Sequence, residues 1–203
     1  MSYDPQSAST PLADAVRFLG HWARNPFLMG AVAPSGPALA KAMAACVDPA
    51  REGLVIELGP GTGPVTEALL ARVPRERLLL VEYEEKFCDL LAKRYPDVKV
   101  LQGDAYALKK TLEGHLSEPP AAVVSSLPLL VRPEGDRVSL LRQAFELMGP
   151  QGVMIQFTYG AISPIPLDAP ELEGAFVSKG SAPILLNFPP ARVWQFLRVM
   201  PKA

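Results

Sequence analysis

The chain contains 203 residues, of which 49% are hydrophobic and 20% are charged. This length and composition are typical of one globular domain and exclude a disordered chain. The 20 basic and 21 acidic residues give a formal net charge of -1, which lacks the basic excess that nucleic-acid binding usually requires. We therefore expect a globular protein with no nucleic-acid partner.

The first 50 residues contain two predicted helices, at 12–24 and 36–47. In the first helix, apolar residues recur on one face and mainly basic residues on the other. Such a helix either lies in a membrane interface, where anionic headgroups attract basic side chains, or packs on the rest of the protein. Ser35 is a candidate N-cap of the second helix. We assign region 1–50 to a lid that binds substrate and membrane through Arg17, Phe18, His21, Trp22, Arg24 and Ser35.

Residues 51–203 alternate between short β-branched or leucine-rich runs and segments with helical spacing, which predicts a parallel sheet in one compact domain. Predicted strands occupy 54–58, 78–82, 98–101, 121–125 and 153–159, and predicted helices occupy 65–72, 85–94 and 137–148. Two further strands, 183–188 and 192–198, are too close in sequence for a crossover helix, so they must pair antiparallel. This inventory predicts an α/β fold with the Rossmann-like, seven-stranded class I methyltransferase sheet, in which helices cover both faces of five parallel strands and a terminal antiparallel hairpin.

A glycine-rich turn follows the first predicted strand and has the spacing G-x-G-x-G, with Glu57 two positions before the first glycine. A dinucleotide site would have G-x-G-x-x-G and would hold a diphosphate, which a carboxylate repels. An acidic residue instead suits the ammonium group of S-adenosylmethionine. A tight turn from strand to helix is the alternative interpretation, because a lone glycine motif is weak evidence. The residues assigned to cofactor binding in this turn are Glu57, Gly59, Gly61, Thr62 and Gly63.

Two more carboxylates follow neighbouring strands. Glu82 ends the second predicted strand, where a carboxylate can accept hydrogen bonds from ribose hydroxyls, and Asp104 follows the third, where it can take the adenine amino group. Ligands bind at the carboxyl edge of such sheets, so three acidic residues at three successive strand ends predict an S-adenosylmethionine site. The remaining residues assigned to it are Tyr83, Gly103, Ala105 and Ser125.

The loop after the fourth predicted strand is the expected position of the methyl acceptor. Nucleobase amino-methyltransferases have an amide or carboxylate there, followed by proline and an aromatic residue that stacks on the flipped base. This chain has Ser126 in place of the amide and Leu129 in place of the aromatic residue. A flipped base would lose both partners, although the segment can also be read as an ordinary turn set by Pro128.

The motifs together resemble bacterial phospholipid N-methyltransferases. They are VIELGPGTG at 55–63, VEY at 81–83, GDA at 103–105 and SSLPL at 125–129, with FLMGAVAPS at 27–35, QFTYG at 156–160 and NFPPARVW at 187–194. The resemblance implies successive methyl transfer from S-adenosylmethionine to the amine of phosphatidylethanolamine, which yields the mono-, di- and trimethylated lipids and S-adenosylhomocysteine. The trimethylated lipid is phosphatidylcholine. The resemblance also implies a cytoplasmic enzyme bound peripherally to an anionic phospholipid membrane.

Tyr159, at the end of the fifth predicted strand, is the candidate to orient the amine or the headgroup phosphate, with Ser126 as its catalytic partner. The alternative for Tyr159 is an interfacial tyrosine with its hydroxyl in solvent. Apolar residues between 162 and 167 suit either acyl chains or the core. Two rival functions remain, namely an RNA adenine N6-dimethyltransferase-like enzyme and a non-catalytic lipid-surface protein on the same fold. We expect a monomer.

The chain has two cysteines, Cys46 and Cys88, and neither belongs to a Cys-x-x-Cys or Cys/His cluster. Such clusters are the usual sign of a metal site or a disulfide framework. Residues 1–10 also lack a secretory signal pattern. We therefore expect buried, reduced cysteines, no metal and a cytoplasmic location.

Overall fold

The computed structural model describes residues 36–187 and 189–200. The strands in this part of the chain are β1 Val55–Leu58, β2 Leu78–Glu82, β3 Lys99–Gln102, β4 Ala122–Ser125, β5 Val153–Thr158, β6 Phe176–Gly180 and β7 Arg192–Arg198. The α-helices are α1 Pro37–Ala45, α2 Pro64–Leu70, α3 Glu85–Arg94, α4 Leu108–Thr111 and α5 Glu134–Met148. Short 3-10 helices span Arg75–Arg77, Ala105–Ala107 and Leu129–Val131. The predicted helix at 12–24 lies outside the described residues, as do the assigned residues Arg17, Phe18, His21, Trp22, Arg24 and Ser35.

The seven strands form one sheet in the order β3-β2-β1-β4-β5-β7-β6. The first five strands run parallel, whereas β7 runs antiparallel to both β5 and β6. Every residue of β1, β2 and β4 is buried, as is typical of a parallel sheet covered on both faces. The predicted α/β architecture with a seven-stranded methyltransferase sheet is confirmed.

Helices on the two faces of the sheet give each face its own hydrophobic core. Successive strand residues point to opposite faces, so Ile56 joins the core beneath α5 while Val55 joins the core beneath α1. The first core contains Phe145 of α5, whose ring centroid lies 4.9 Å from that of Phe176 in β6. Packing on both faces holds the strand ends at the carboxyl edge of the sheet in place.

The sixth strand differs from the prediction, which placed it at residues 183–188. It is Phe176–Gly180, and it pairs with β7 from Phe176 opposite Arg198 to Gly180 opposite Trp194. Among the described residues of the predicted range, 183–187, only Ile184 makes a bridge, to Ala191. Prolines bound this range at 183 and 189, and proline has no N–H to donate to a ladder. The antiparallel hairpin itself is confirmed, but its first strand was predicted several residues too late.

Helix α1 begins at Pro37, one residue later than a helix capped by Ser35 would begin. Gly36, rather than Ser35, is the N-cap of α1, and Pro37 is its first residue, a position where the missing N–H costs nothing. The Gly36 N–H donates to the side-chain oxygen of Asn187 at 2.8 Å. The cysteines also differ from expectation, because Cys46 and Cys88 are free but only half-buried.

The segment between β5 and β6 divides its apolar residues between the interior and the surface. Ile165 is fully buried in the core beneath α5, whereas Ile162 is exposed. A groove of about 570 Å³ runs along this segment and is also lined by Leu130 and Leu167. The tract therefore contributes to the core and to an open apolar surface.

None of the helices in the described residues is long and apolar enough to span a bilayer.

Candidate active site

The glycine-rich turn after β1 is shaped by three residues with positive φ. Gly59, Gly61 and Gly63 have φ values of 65°, 57° and 89°, a region that favours glycine because a Cβ atom clashes there. The Gly59 N–H donates to the Val81 carbonyl of β2 at 2.9 Å, and Gly63 is the N-cap of α2. The turn therefore folds back onto the carboxyl end of β2.

Glu82 at the end of β2 binds this turn directly. Its Oε2 accepts the Gly61 N–H at 3.0 Å, and its Oε1 accepts the N–H groups of Tyr83 at 2.8 Å and Glu84 at 3.1 Å. The side chain is buried, but three hydrogen bonds to an ionised carboxylate compensate for much of its desolvation. A carboxylate offers about four lone-pair positions, so one remains for a ligand hydroxyl, and a second becomes available if Gly61 moves.

Asp104 lies beside Glu82 at the end of β3. Its Oδ1 accepts the Tyr106 N–H at 2.8 Å and caps the 3-10 helix Ala105–Ala107. The Gly103 N–H donates to the Glu82 carbonyl at 2.8 Å, which joins the two strand ends. The Asp104 side chain is exposed, so its second oxygen faces open space and can accept a donor from a ligand.

A cavity of about 540 Å³ lies over these strand ends, within the usual size range of small-molecule sites. Six of the residues assigned to the cofactor line it, namely Gly59, Glu82, Tyr83, Gly103, Asp104 and Ala105. Its other lining residues are Val81, Tyr106, Leu127, Pro128, Val131 and Arg132. The predicted carboxylates at the ends of β2 and β3 are thus brought together in one cavity.

Five other residues assigned to the cofactor do not line this cavity: Glu57, Gly61, Thr62, Gly63 and Ser125. The Ser125 side chain is fully buried, and its Oγ accepts the Leu127 N–H at 3.4 Å. Gly61 reaches the site through its N–H bond to Glu82. Glu57 and Ser125 are fully buried, whereas Thr62 is exposed, so these five residues surround the cavity lining without forming part of it.

Glu57 is fully buried under the turn. Its Oε2 accepts a hydrogen bond from the Thr66 hydroxyl at 2.7 Å, whereas its Oε1 has no hydrogen-bond partner. Burial, reinforced by the charge of Glu82, raises the pKa of Glu57 to about 8, against the opposing effect of the Thr66 hydrogen bond. Because Glu57 is fully buried and does not line the cavity, its contact with the ammonium of S-adenosylmethionine stays a prediction.

We expect Glu57→Gln to stabilise the protein at pH 8 and to have little effect at pH 4.5. Between its ordinary pKa of 4.5 and the raised value of about 8, the folded state holds a proton that the unfolded state has released, so stability falls as pH rises. The neutral amide removes this loss, which is on the order of a few kcal/mol. Denaturant unfolding at both pH values measures the difference.

Glu67→Gln, a change at an exposed glutamate of α2, controls for removal of a carboxylate. If the difference between Glu57→Gln and wild type were the same at both pH values, Glu57 would not change its protonation on folding.

The glycine turn also offers a matched pair of substitutions. A Cβ on Gly59 would lie 2.7 Å from Cδ2 of Leu127, whereas a Cβ on Gly61 would meet no atom within 4 Å. We expect Gly61→Ala to cost about 1–2 kcal/mol through its positive φ alone, and Gly59→Ala to cost more because Leu127 must move. Denaturant unfolding of both variants tests this order, and equal costs would mean that Leu127 relaxes freely.

The acceptor loop after β4 is apolar where it meets the cavity. Leu127, Pro128 and Val131 line both this cavity and a smaller one of about 20 Å³, which also contacts Phe157 and Tyr159 at the end of β5. Leu129 is only 2% exposed, so it is part of the core. The site of the predicted methyl acceptor thus adjoins the predicted cofactor site.

The two predicted catalytic residues occupy different positions. Tyr159 lines the smaller cavity, and its ring packs edge-on against Phe157 at 5.3 Å. Burial raises the pKa of Tyr159 well above its ordinary value, against a hydrogen bond with Asn187 that acts in the opposite direction. Ser126 does not line either cavity, and its Oγ is buried without a hydrogen-bond partner. The structure does not bring these two side chains to one surface.

Three residues of the site were missed by the sequence reasoning. Arg132 lies over the Tyr106 ring, 4.2 Å from its centroid, and both line the cavity. Burial, opposed by Arg132, raises the pKa of Tyr106 to about 12. Gln156 is fully buried in β5, and its Nε2 donates to the carbonyls of Leu127 at 2.9 Å and Phe157 at 2.8 Å. Gln156 belongs to the motif QFTYG and is a polar residue within an apolar strand, but neither signal indicated its bonds to these carbonyls.

The described residues contain no group of three or more His, Cys, Asp or Glu side chains arranged to hold a metal ion.

Comparison with known proteins gives matches to a family, to individual relatives and to solved structures. The family described as "Methyltransferase domain" matches residues 55–152. The "Ornithine lipid N-methyltransferase" of Singulisphaera acidiphila is 30% identical over 151 residues, which are 72% of this chain and 79% of that relative. The "Ribosomal RNA small subunit methyltransferase A" of Cupriavidus metallidurans is 34% identical over 112 residues, 54% of this chain, and the match spans only 38% of that relative.

A solved structure with the same fold is the O-methyltransferase TomG from Streptomyces achromogenes, which was determined in complex with S-adenosylmethionine. Its TM-score is 0.63 at 16% identity, and the match covers 92% of this chain and 90% of that one.

Proposed function

This chain belongs to the family of S-adenosylmethionine-dependent methyltransferases, and we propose that it methylates the amino group of a membrane lipid. The substrate we propose is phosphatidylethanolamine, followed by its mono- and dimethylated forms, with phosphatidylcholine as the final product. One observation carries the proposal, namely that Leu127 and Pro128 line both the cofactor-sized cavity and the apolar cavity beside Tyr159. A methyl donor in the first cavity would lie next to the second, which at about 20 Å³ has room for a group no larger than the amine itself.

In this proposal the strand ends hold the cofactor. Glu82 uses its free lone-pair position for the ribose hydroxyls, and the exposed carboxylate of Asp104 accepts the adenine amino group. A cationic group beside the unpartnered oxygen of Glu57 would favour its ionised form and lower its raised pKa. The bound cofactor supplies an electrophilic methyl group, and the chain contributes position, since in-line displacement depends chiefly on orientation.

Tyr159 is proposed to orient the amine. Because burial raises the pKa of its phenol, the hydroxyl is neutral at physiological pH, and its oxygen can accept an N–H from the substrate. The amine lone pair is then left to face the methyl group. Each transfer makes the nitrogen cationic, and after the first and second transfers an N–H proton passes to solvent, which restores the lone pair. The trimethylated product keeps its charge, and the rings of Tyr159 and Phe157 offer it cation–π contacts worth about 0.5–2 kcal/mol.

An ornithine lipid is the second candidate substrate. The observation that favours this substrate is the relative from Singulisphaera acidiphila, because that relative is named as an ornithine lipid N-methyltransferase. The two candidates share a primary amine on a headgroup that also carries an anionic oxygen, so the same Tyr159 contact serves either one.

A nucleobase is the weaker candidate, although ribosomal RNA methyltransferases are among the relatives. Their match spans 38% of the relative, and Leu129, which stands where an aromatic residue would stack on a base, is buried in the core. The base would have neither a stacking partner nor an amide at position 126. A non-catalytic lipid-surface protein is the remaining alternative, and an activity assay tests it directly.

The experiment is methyl transfer from radiolabelled S-adenosylmethionine to vesicles that contain either phosphatidylethanolamine or an ornithine lipid, with 16S ribosomal RNA in a third arm. Chromatography resolves the mono-, di- and trimethylated lipids. Label in phosphatidylethanolamine is the expected result. Label only in the ornithine lipid moves the assignment to the second candidate, and label only in RNA, or in none of the three, overturns the proposal.

A further inference from the structure

The most exposed large hydrophobic side chains all lie at one edge of the sheet. In the described residues, four such side chains are 69–89% exposed and no other exceeds 53%. The four are Tyr83, Ile162, Leu185 and Leu186. Tyr83 directly follows β2, Ile162 follows β5, and both leucines lie between β6 and β7. Because β6 runs parallel to β5 through their common partner β7, all four extend from the carboxyl edge.

Tyr83 borders the cofactor cavity, but Leu185 and Leu186 line none of the three cavities described above. They lie in a turn closed by the bridge between Ile184 and Ala191, which we name the dileucine turn (residues 184–187). Two adjacent leucines in water are unfavourable unless a partner covers them.

The dileucine turn is held firmly in place by Asn187, which is buried. Its Oδ1 accepts the Gly36 N–H, and its Nδ2 donates to the Pro189 carbonyl, both at 2.8 Å. Asn187 also shares a hydrogen bond with Tyr159. The exposed leucines are therefore coupled through one buried side chain to the proposed methyl-acceptor residue.

Charge around the dileucine turn favours an anionic partner. Residues 174–200 contain no acidic residue, and of their three basic residues only Arg198, at the end of β7, lies at the opposite edge of the sheet. Two of the basic residues, Lys179 and Arg192, lie on the strands next to the turn. Basic side chains close to an apolar insertion are the usual composition of a site that binds an anionic bilayer surface.

We propose that the dileucine turn inserts into the headgroup region of an anionic phospholipid bilayer and sets the carboxyl edge of the sheet, with Tyr159, against the membrane. This inference rests on the proposed function, because binding to a bilayer serves catalysis only if the substrate is a membrane lipid.

The test is co-sedimentation of the full chain with vesicles of phosphatidylcholine and phosphatidylglycerol, which contain no primary amine and so separate binding from catalysis. We expect the double variant Leu185→Ser/Leu186→Ser to bind at least about tenfold more weakly than wild type. The control is Val177→Ser/Met200→Ser, which changes two exposed hydrophobic residues at the opposite edge, and it should bind within about twofold of wild type.

The proposal is overturned if wild type does not bind these vesicles, if the dileucine variant binds as well as wild type, or if the control loses as much binding as the dileucine variant. Leu186→Trp gives a second measurement that does not depend on weakened binding. Its fluorescence should shift to shorter wavelength when vesicles are added, beyond the change seen in wild type, and unchanged emission would contradict insertion. If vesicle binding behaves as expected but no lipid is methylated, the proposed function fails while the docking surface stands.

Discussion

Glu82→Ala is expected to abolish measurable binding of S-adenosylmethionine. The carboxylate lies in the wall of the cavity and is the proposed acceptor for the ribose hydroxyls. A hydrogen bond to a charged group contributes about 1.5–3 kcal/mol. The loss of two, one at the free lone-pair position and one at the position that opens if Gly61 moves, corresponds to an affinity at least about a hundredfold weaker. The variant also frees the Gly61 N–H from its partner, which loosens the turn. Isothermal titration calorimetry measures the affinity.

Two further variants separate the role of Glu82 from a general loss of acidic charge. Glu84→Ala removes an exposed carboxylate two residues away and should bind the cofactor normally. Glu82→Gln keeps the shape and one acceptor oxygen, and we expect an intermediate affinity. If Glu82→Ala bound S-adenosylmethionine with wild-type affinity while remaining folded, the placement of the ribose at this strand end would be wrong.

Tyr159→Phe is expected to slow methyl transfer by about tenfold to a hundredfold, the range for loss of one orienting hydrogen bond in a reaction that depends on position. Affinity for S-adenosylmethionine should not change, because Tyr159 does not line the larger cavity. Initial rates on phosphatidylethanolamine vesicles, together with calorimetry on the same preparation, measure both quantities.

The pH dependence of this variant distinguishes an orienting hydroxyl from a proton-transfer group. Because burial raises the pKa of Tyr159, the hydroxyl stays protonated between pH 7 and pH 10, and the ratio of wild-type to variant rates should be constant over that range. A ratio that changed with pH would assign Tyr159 a proton-transfer role instead. Equal rates for the two proteins would remove Tyr159 from the mechanism, leaving it as the partner of Asn187.

Local signals were sufficient for most of the fold. β2 and α3 have the predicted bounds, β1, β4 and β5 differ from theirs by one residue at one end, and β3 is shifted by one residue at both ends. Buried runs and the glycines that follow strands are recognisable in the sequence. The sixth strand was misplaced because residues 183–188 form an apolar run, whereas the real strand alternates a buried Phe176 with an exposed Val177 and ends at a glycine.

The site was predictable where it depends on strand ends, and not where it depends on tertiary packing. Glu82 and Asp104 follow strands that could be recognised, so their meeting at one edge follows from topology. The contact of Arg132 with Tyr106 crosses from the loop after β4 to the loop after β3, and no pattern within either loop indicates it. The assignments at Arg17, Phe18, His21, Trp22, Arg24 and Ser35 stay predictions because they fall outside the described residues.

The strand order has a consequence for synthesis of the chain on the ribosome. Within the described residues, β5 has β4 on one side and β7 on the other, and β6 pairs with β7 alone. One edge of β5 and both edges of β6 therefore lack a partner strand until Arg192–Arg198 has been made. At roughly 5–20 residues per second, the nascent chain exposes the open edge of β5 for several seconds after that strand emerges. An unpaired edge is a template for intermolecular pairing. Folding intermediates that lack the final strand are therefore the aggregation-prone species of this protein, and a frameshift or stop codon before residue 192 would yield an insoluble product rather than a smaller enzyme.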